Sequence, residues 1–169
     1  MNNTSVRPAD DIERIIDSYG NMLFRIALTT IGNASDAEDT VQETFIKYID
    51  KNMSFESQEQ EKAWLIRVLI NKCRDVLRYR SRHQETDIEE LSEYLSTDES
   101  ENDRAKNSGI FEALMQVPEK FRTIMVLHYV EEYGVKEIAR MTHLTVSTVK
   151  MRLQKGRKLL EEIYRREYM

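Results

Sequence analysis

Apolar residues recur every three to four positions along most of the chain, which is the spacing that places them on one side of an α-helix. The first such stripe follows Pro8 and two acidic residues, a combination typical of a helix start. The stripe consists of Ile12, Ile15, Ile16, Tyr19, Leu23, Ile26 and Ala27. The pair Gly32-Asn33 then predicts the end of this helix, because glycine readily adopts the left-handed conformation found there.

A second predicted helix begins near Ser35, which forms a capping-box pattern with Glu38. Its apolar side comprises Ala37, Val41, Thr44, Phe45 and Tyr48. Its polar side comprises Asp36, Asp39, Gln42, Glu43 and Lys47. A polar break at 51–60 separates this helix from the next one.

The third predicted helix extends to about Arg82 and carries a basic stripe. Its buried side comprises Leu65, Val68, Leu69, Cys73, Val76 and Leu77. Its polar stripe comprises Arg67, Asn71, Arg74 and Arg78, which follow one another at intervals of three and four residues. Basic side chains beside an aromatic residue such as Trp64 are typical of surfaces that bind single-stranded nucleic acid. The structural alternative is that Trp64 anchors the core.

The last third of the chain predicts a helix-turn-helix. Phe111, Leu114 and Met115 indicate a short helix that ends before Pro118, which opens the next helix. Apolar residues at helical spacing then flank the short polar turn at 143–145, and the small Ala139 permits a close helix crossing. A short helix, a tight turn and a longer basic helix form a DNA-reading motif. A helical hairpin with a solvated basic side is the alternative.

Charge divides the chain into three parts, although the net charge is only −5. Residues 83–108 carry nine acidic and two basic side chains, whereas residues 109–169 carry eight acidic and eleven basic ones. The acidic segment has few large apolar residues, so burial cannot offset the cost of ordering its backbone. We therefore predict an all-α protein with two small helical domains, 1–82 and 109–169, joined by a flexible acidic linker at 83–108.

Few residues offer enzyme chemistry. The three histidines lie apart and lack the carboxylate or cysteine spacing of a metal site. The single cysteine, Cys73, lies on a predicted buried side, and no glycine-rich phosphate loop is present. One cysteine fits a reducing cytoplasm, and no apolar run approaches the roughly 20 residues that span a bilayer. We expect a protein that is not an enzyme and takes no metal, cofactor or small-molecule substrate.

Three segments, in this order, resemble the extracytoplasmic-function (ECF) sigma factors of bacterial RNA polymerase. The polymerase-binding helix of that family resembles DAEDTVQETF at 36–45. Its −10 helix resembles AWLIRVLINKCRDVLR at 63–78, and its −35 helix-turn-helix resembles EIARMTHLTVSTVKMRLQKGRKLL at 137–160. The resemblance implies a subunit that directs core polymerase to promoters and nucleates DNA opening, with a region 2-like first domain and a region 4-like second domain.

The resemblance also implies residue roles. The expected polymerase contacts are Asp39, Gln42 and Glu43, on an acidic side that suits a basic partner. The expected contacts to the melted −10 strand are Phe55, Trp64, Arg67, Asn71, Arg74 and Arg78, with Asn71 reading a flipped base. At −35, the expected major-groove residues are Lys150, Met151, Gln154 and Lys155, and the expected phosphate contacts are Thr148, Arg152 and Arg157.

The partners implied by the resemblance are core RNA polymerase, promoter DNA and an anti-sigma factor. It implies no cofactor, and it implies a cytoplasmic location in which an anti-sigma factor could hold the protein at the membrane. A stand-alone helix-turn-helix regulator is the alternative function. Such a regulator would bind duplex DNA without polymerase, but it leaves the segment 36–82 unexplained. A helical adaptor that binds only proteins leaves both basic helices unexplained.

Overall fold

The computed structural model describes residues 7–83 and 101–169, and it describes side chains of the second stretch from Ser108 onward. Within these residues the chain forms seven α-helices and no strand, so the all-α prediction is confirmed. The helices are α1 Ala9–Ile31, α2 Ala34–Lys51, α3 Gln58–His83, α4 Glu101–Gln116, α5 Glu119–Met125, α6 Val135–Thr142 and α7 Val146–Tyr168. A π-helical turn, Val126–Val130, continues α5. Of the predicted linker, residues 84–100 lie outside the described residues, while His83 belongs to α3 and residues 101–108 belong to α4.

The first bundle (α1–α3) has well-defined helix ends. Gly32 terminates α1 with a φ of 82°, and its amide donates to the carbonyl of Leu28 at 2.8 Å, as its glycine predicts. The predicted capping box of Ser35 and Glu38 is wrong, because Asn33 occupies the N-cap. The Asn33 side chain accepts a hydrogen bond from the Asp36 amide at 2.9 Å. Asparagine caps a helix as well as serine does, so α2 begins at Ala34 and Ser35 lies inside it.

The core of the first bundle largely follows the predicted stripes. Its fully buried residues include Ile15, Leu23, Ile26, Tyr48, Leu65, Ile66 and Leu69. The prediction for Ile16 is wrong, since 45% of this residue is exposed. Neighbouring helical residues lie about 100° apart around the axis, so Ile15 and Ile16 cannot both face the core. Val76 and Leu77, which we expected to be buried, are half-buried near the end of α3.

The second bundle (α4–α7) contains the predicted helix-turn-helix. His143 adopts the left-handed conformation after α6, and the Thr145 side chain caps α7. Ala139 is buried, and a close helix crossing lies at Gly156 of α7. A Cβ atom at Gly156 would lie 2.5 Å from Sδ of Met125 on α5, so this position requires a residue without a side chain or a shift of Met125. Helix α4 begins at Glu101, before the start near Ser108 that the apolar pattern indicates.

The two bundles pack against each other. Buried apolar residues form one cluster that runs through both bundles. Arg25 of α1 forms an ion pair with Glu131 at 3.0 Å, and the buried guanidinium of Arg122 donates to the carbonyl of Thr30 at 2.6 Å. The sequence pattern indicated two bundles but not this contact, because periodicity reports only the buried side of each helix.

Candidate nucleic-acid interface

The loop between α2 and α3 places an aromatic cluster beside a cavity. The Phe55 ring lies parallel to the Tyr48 ring, with centroids 6.0 Å apart, and 5.8 Å from the Trp64 ring. Trp64 packs against the core, as the structural alternative proposed, and also lines a cavity of about 470 Å³. Phe55 and Arg67 line the same cavity, so three of the six predicted −10 residues lie together here.

The basic stripe of α3 is partly covered by the second bundle. Arg67 donates to the backbone carbonyls of Met141, at 3.3 Å, and Arg140, at 3.4 Å. Arg74 forms an ion pair with Glu119 at 3.1 Å. Asn71 and Arg78 are exposed. Two of the four members of this stripe therefore contact protein groups of the second bundle.

A second cavity, of about 480 Å³, lies between the bundles and is lined by basic side chains from both. The stripe contributes Arg74 and Arg78, and the second bundle contributes Lys120 and Arg152. Glu119 is the acidic residue among those lining it. The structure thus brings two predicted −10 residues next to a predicted −35 residue, which the sequence did not indicate.

Helix α7 presents its predicted recognition side to solvent. Lys150, Met151, Gln154 and Lys155 are all exposed, while Val149, Leu153 and Gly156 are buried on the opposite side. Thr148 lies in the first turn, where its amide donates to Thr145 Oγ1 at 3.1 Å. Of the expected phosphate contacts, Thr148 and Arg152 are half-buried and Arg157 is exposed. A basic helix with an open polar side and exposed cations at its edge can enter a major groove.

Helix α2 carries the three expected polymerase contacts on one exposed side. Asp39, Gln42 and Glu43 are exposed, and Glu43 lies 3.4 Å from Lys72 of α3. Ile46, 55% exposed, extends the same side with an apolar residue. An acidic side that ends in an exposed apolar residue suits docking onto a basic amphipathic partner.

Sequence reasoning missed a buried carboxylate beneath the aromatic cluster. Glu61 in the first turn of α3 is 6% exposed. Burial raises the pKa of Glu61, but hydrogen bonds from Arg14 and Tyr48 outweigh it, so the pKa lies below its ordinary value. The available signal was its position four residues before Leu65, which places it on the apolar stripe.

The structure supports the structural interpretation of Cys73. This cysteine is fully buried, and burial raises the pKa of its thiol to about 12. Among residues 7–83 and 108–169, no group of histidine, cysteine and carboxylate side chains could hold a metal ion. In the described helices, none is both long and apolar enough to cross a membrane.

Comparison with known families matches both bundles. The model of sigma-70 region 2 matches residues 15–83, and the model of sigma-70 region 4 matches residues 109–160. RNA polymerase sigma factor SigV of Bacillus subtilis is 31% identical over 145 residues, which cover 86% of each chain. ECF RNA polymerase sigma factor SigW of the same species is 26% identical and covers 90% of this chain and 88% of its own. The chain belongs to the ECF sigma factors.

The fold is shared with solved sigma factors. RpoE of Bartonella quintana, crystallised with the anti-sigma factor NepR, superimposes with a TM-score of 0.73 at 21% identity. The match covers 94% of this chain and 99% of RpoE. As an ECF sigma factor, the chain directs RNA polymerase to promoters in transcription initiation. The region 2 match excludes a stand-alone helix-turn-helix regulator, which has no such bundle.

Proposed function

We propose that the two bundles divide promoter recognition between them. The second bundle reads duplex −35 DNA with the open side of α7, and phosphates contact Thr148, Arg152 and Arg157. The first bundle binds the melted −10 strand with the aromatic cluster and the α3 stripe. The observation that carries this proposal is that the four predicted major-groove side chains of α7 are all exposed.

The exposed acidic side of α2 is the surface that we propose for core RNA polymerase. Asp39, Gln42 and Glu43 would pair with basic residues of a polymerase helix, and Ile46 would add apolar contact. The protein performs no covalent chemistry in this proposal, because polymerase supplies the catalytic centre. Its site of action is the cytoplasm, where polymerase and the chromosome are found.

The packed arrangement of the bundles cannot serve both promoter elements at once. The elements lie about two helical turns, or roughly 70 Å, apart. The 17 residues between α3 and α4 could span at most about 60 Å when fully extended, in addition to the width of the bundles themselves. We therefore infer that the bundles separate when the protein joins polymerase and promoter, and that Arg67 and Arg74 then exchange protein partners for DNA.

An anti-sigma factor is the third proposed partner. The RpoE structure that shares this fold contains one. A protein of this kind could act here by holding the bundles in their packed arrangement, in which part of the α3 stripe is covered. Binding of such a partner would then oppose the binding of polymerase and DNA.

The direct test is transcription in vitro with purified core polymerase and a library of random promoters. The proposed function predicts enriched −35 and −10 sequences and transcripts that begin at a fixed distance from them. Core polymerase alone is the control and should show no such enrichment. Tight binding of the free chain to duplex DNA, without any effect on transcript starts, would contradict the proposal.

A further inference from the structure

The loop that connects α2 and α3 is held by a chain of hydrogen bonds that starts at a buried carboxylate. Glu61 accepts hydrogen bonds from Arg14, at 3.1 and 3.2 Å, and from the hydroxyl of Tyr19 at 3.3 Å. It also accepts a hydrogen bond from the Tyr48 hydroxyl at 2.7 Å. Four donors of this kind fix one orientation of the carboxylate, because each hydrogen bond to an ionised group restricts its rotation.

The Tyr48 hydroxyl passes this constraint on to Arg7. Arg7 donates to the Tyr48 hydroxyl at 2.6 Å, and its guanidinium lies 3.8 Å from the centre of the Tyr48 ring. Arg7 also pairs with Asp11 at 3.1 Å and donates to the backbone carbonyl of Met53. Met53 belongs to the loop, so this series of contacts connects the buried carboxylate to loop backbone.

Tyr48 and Glu61 also contact the loop directly, at one point each. The Tyr48 ring stacks on Phe55, and the amide of Glu61 donates to the carbonyl of Ser57 at 3.1 Å. The loop begins at Asn52, which ends α2 in the left-handed conformation, with a φ of 43°. Held in this way, the loop forms one wall of the cavity that Trp64 and Arg67 also line.

We propose that Glu61 is a positioning residue for −10 recognition, acting through Tyr48 and Arg7 on the loop that carries Phe55. This inference rests on the proposed function, which places the melted −10 strand at the aromatic cluster. Arg7 lies outside the region 2 match, which begins at residue 15, so the chain before that match contributes to the site. A base flipped out of its stack is discriminated by contacts that tolerate little misplacement, so a loosened loop reads it less selectively.

The experiment measures sequence preference rather than total activity. Holoenzyme is assembled from core polymerase and Glu61→Gln or Tyr48→Phe protein and then transcribes a library with a fixed −35 and a randomised −10 segment. Tyr48→Phe keeps the ring that stacks on Phe55 and removes only the hydroxyl. Both variants should reduce the preference at the same −10 positions by about tenfold, which lies within the range that one mismatched base pair costs. Preference in a library with a randomised −35 should stay as in the wild type.

The double variant and a packing variant supply the controls. Glu61→Gln with Tyr48→Phe should lose no more preference than either single variant, because both interrupt one series of contacts. Ile26→Val in the buried core of α1 should lower the melting temperature and leave the −10 preference unchanged. Should Glu61→Gln fail to fold, Tyr48→Phe decides alone.

Three outcomes overturn the proposal. The single variants could lower transcription without altering base preference, the double variant could show additive losses, or −35 preference could change equally. Failure of wild-type protein to direct transcript starts would instead contradict the proposed function itself.

Discussion

The two proposed DNA-binding surfaces differ in what covers them. On α7 the four major-groove candidates face solvent, whereas on α3 Arg67 and Arg74 contact the second bundle. The second bundle therefore covers part of the proposed −10 surface of the first bundle, while the four major-groove candidates of α7 stay exposed. We therefore propose that α7 is accessible in the free protein, whereas the bundles must separate before α3 can hold the −10 strand fully.

The difference also separates two kinds of contact. The α7 candidates are already exposed, so DNA contacts there would replace no bond to the first bundle. DNA contacts of Arg67 and Arg74 would replace existing hydrogen bonds and an ion pair, so the gain in free energy would be only the difference between the two sets of contacts. Polymerase, by separating the bundles, would remove that competition.

The largest effect on DNA affinity is expected from substitutions on the exposed side of α7. Replacing Lys155 or Gln154 with alanine should weaken holoenzyme binding at the preferred −35 sequence by about 1–3 kcal/mol, if the residue pairs with a base edge. The measurement is a titration of promoters that differ at single −35 positions, and preference should relax at one of them. An equal loss on every sequence would assign the residue to a phosphate instead.

A smaller effect on affinity is expected when Arg74 of the α3 stripe is released from its contact with the second bundle. Glu119→Gln removes the ion pair with Arg74, so the free chain should bind a single-stranded −10 oligonucleotide more tightly, by at most about 1 kcal/mol. The matched control is Glu161→Gln, which removes an exposed ion pair with Arg165, 2.7 Å long, within α7. Equal affinities of both variants would show that the second bundle does not compete for this surface.

Replacement of Arg157 tests whether this side chain at the edge of α7 contacts a DNA phosphate. Removing one phosphate contact should reduce the slope of log affinity against log salt by about 0.9. Arg157→Ala holoenzyme, titrated with promoter DNA at several salt concentrations, provides the slope. An unchanged slope would remove Arg157 from the phosphate contacts and leave that edge of α7 unassigned.

The smallest effect is expected on the stability of the first bundle at acidic pH. The pKa values of Glu61 and Asp11 are lowered by their arginine partners, with burial opposing the shift, so both carboxylates stabilise the folded state above their unfolded pKa values. This stability should decline as the pH falls from about 4.5, the ordinary value for Glu61, through the lowered one. Thermal melting followed by fluorescence of Trp64, the single tryptophan, should show a smaller decline for Glu61→Gln.

Structural features that depend only on residues nearby in the chain could be predicted from the sequence. Helix periodicity, the glycine end of α1 and the turn before α7 depend on neighbouring residues, and the structure confirms them. The cap of α2 was mispredicted because two good capping residues, Asn33 and Ser35, lie two positions apart. Ile16 was mispredicted because the stripe of α1 was taken as wider than it is.

The contacts between distant segments were not predictable in this way. Glu61 interrupts an apolar stripe, and its partners lie 13 to 47 residues away. Arg122 lies among apolar residues and is buried, donating to Thr30 92 residues away in the chain. Burial lowers the pKa of this guanidinium, which has no carboxylate within ion-pair distance among the described residues. Such pairings depend on how helices meet, which periodicity does not encode.

The distance between the two bundles is the measurement that tests the account most directly. Cysteines introduced at the exposed positions Asp50 and Glu162 can carry a donor and an acceptor dye, while buried Cys73 stays unlabelled. High energy transfer is expected in the free chain, with a large fall when core polymerase and promoter DNA are added. Unchanged transfer in an actively transcribing complex would contradict the separation of the bundles.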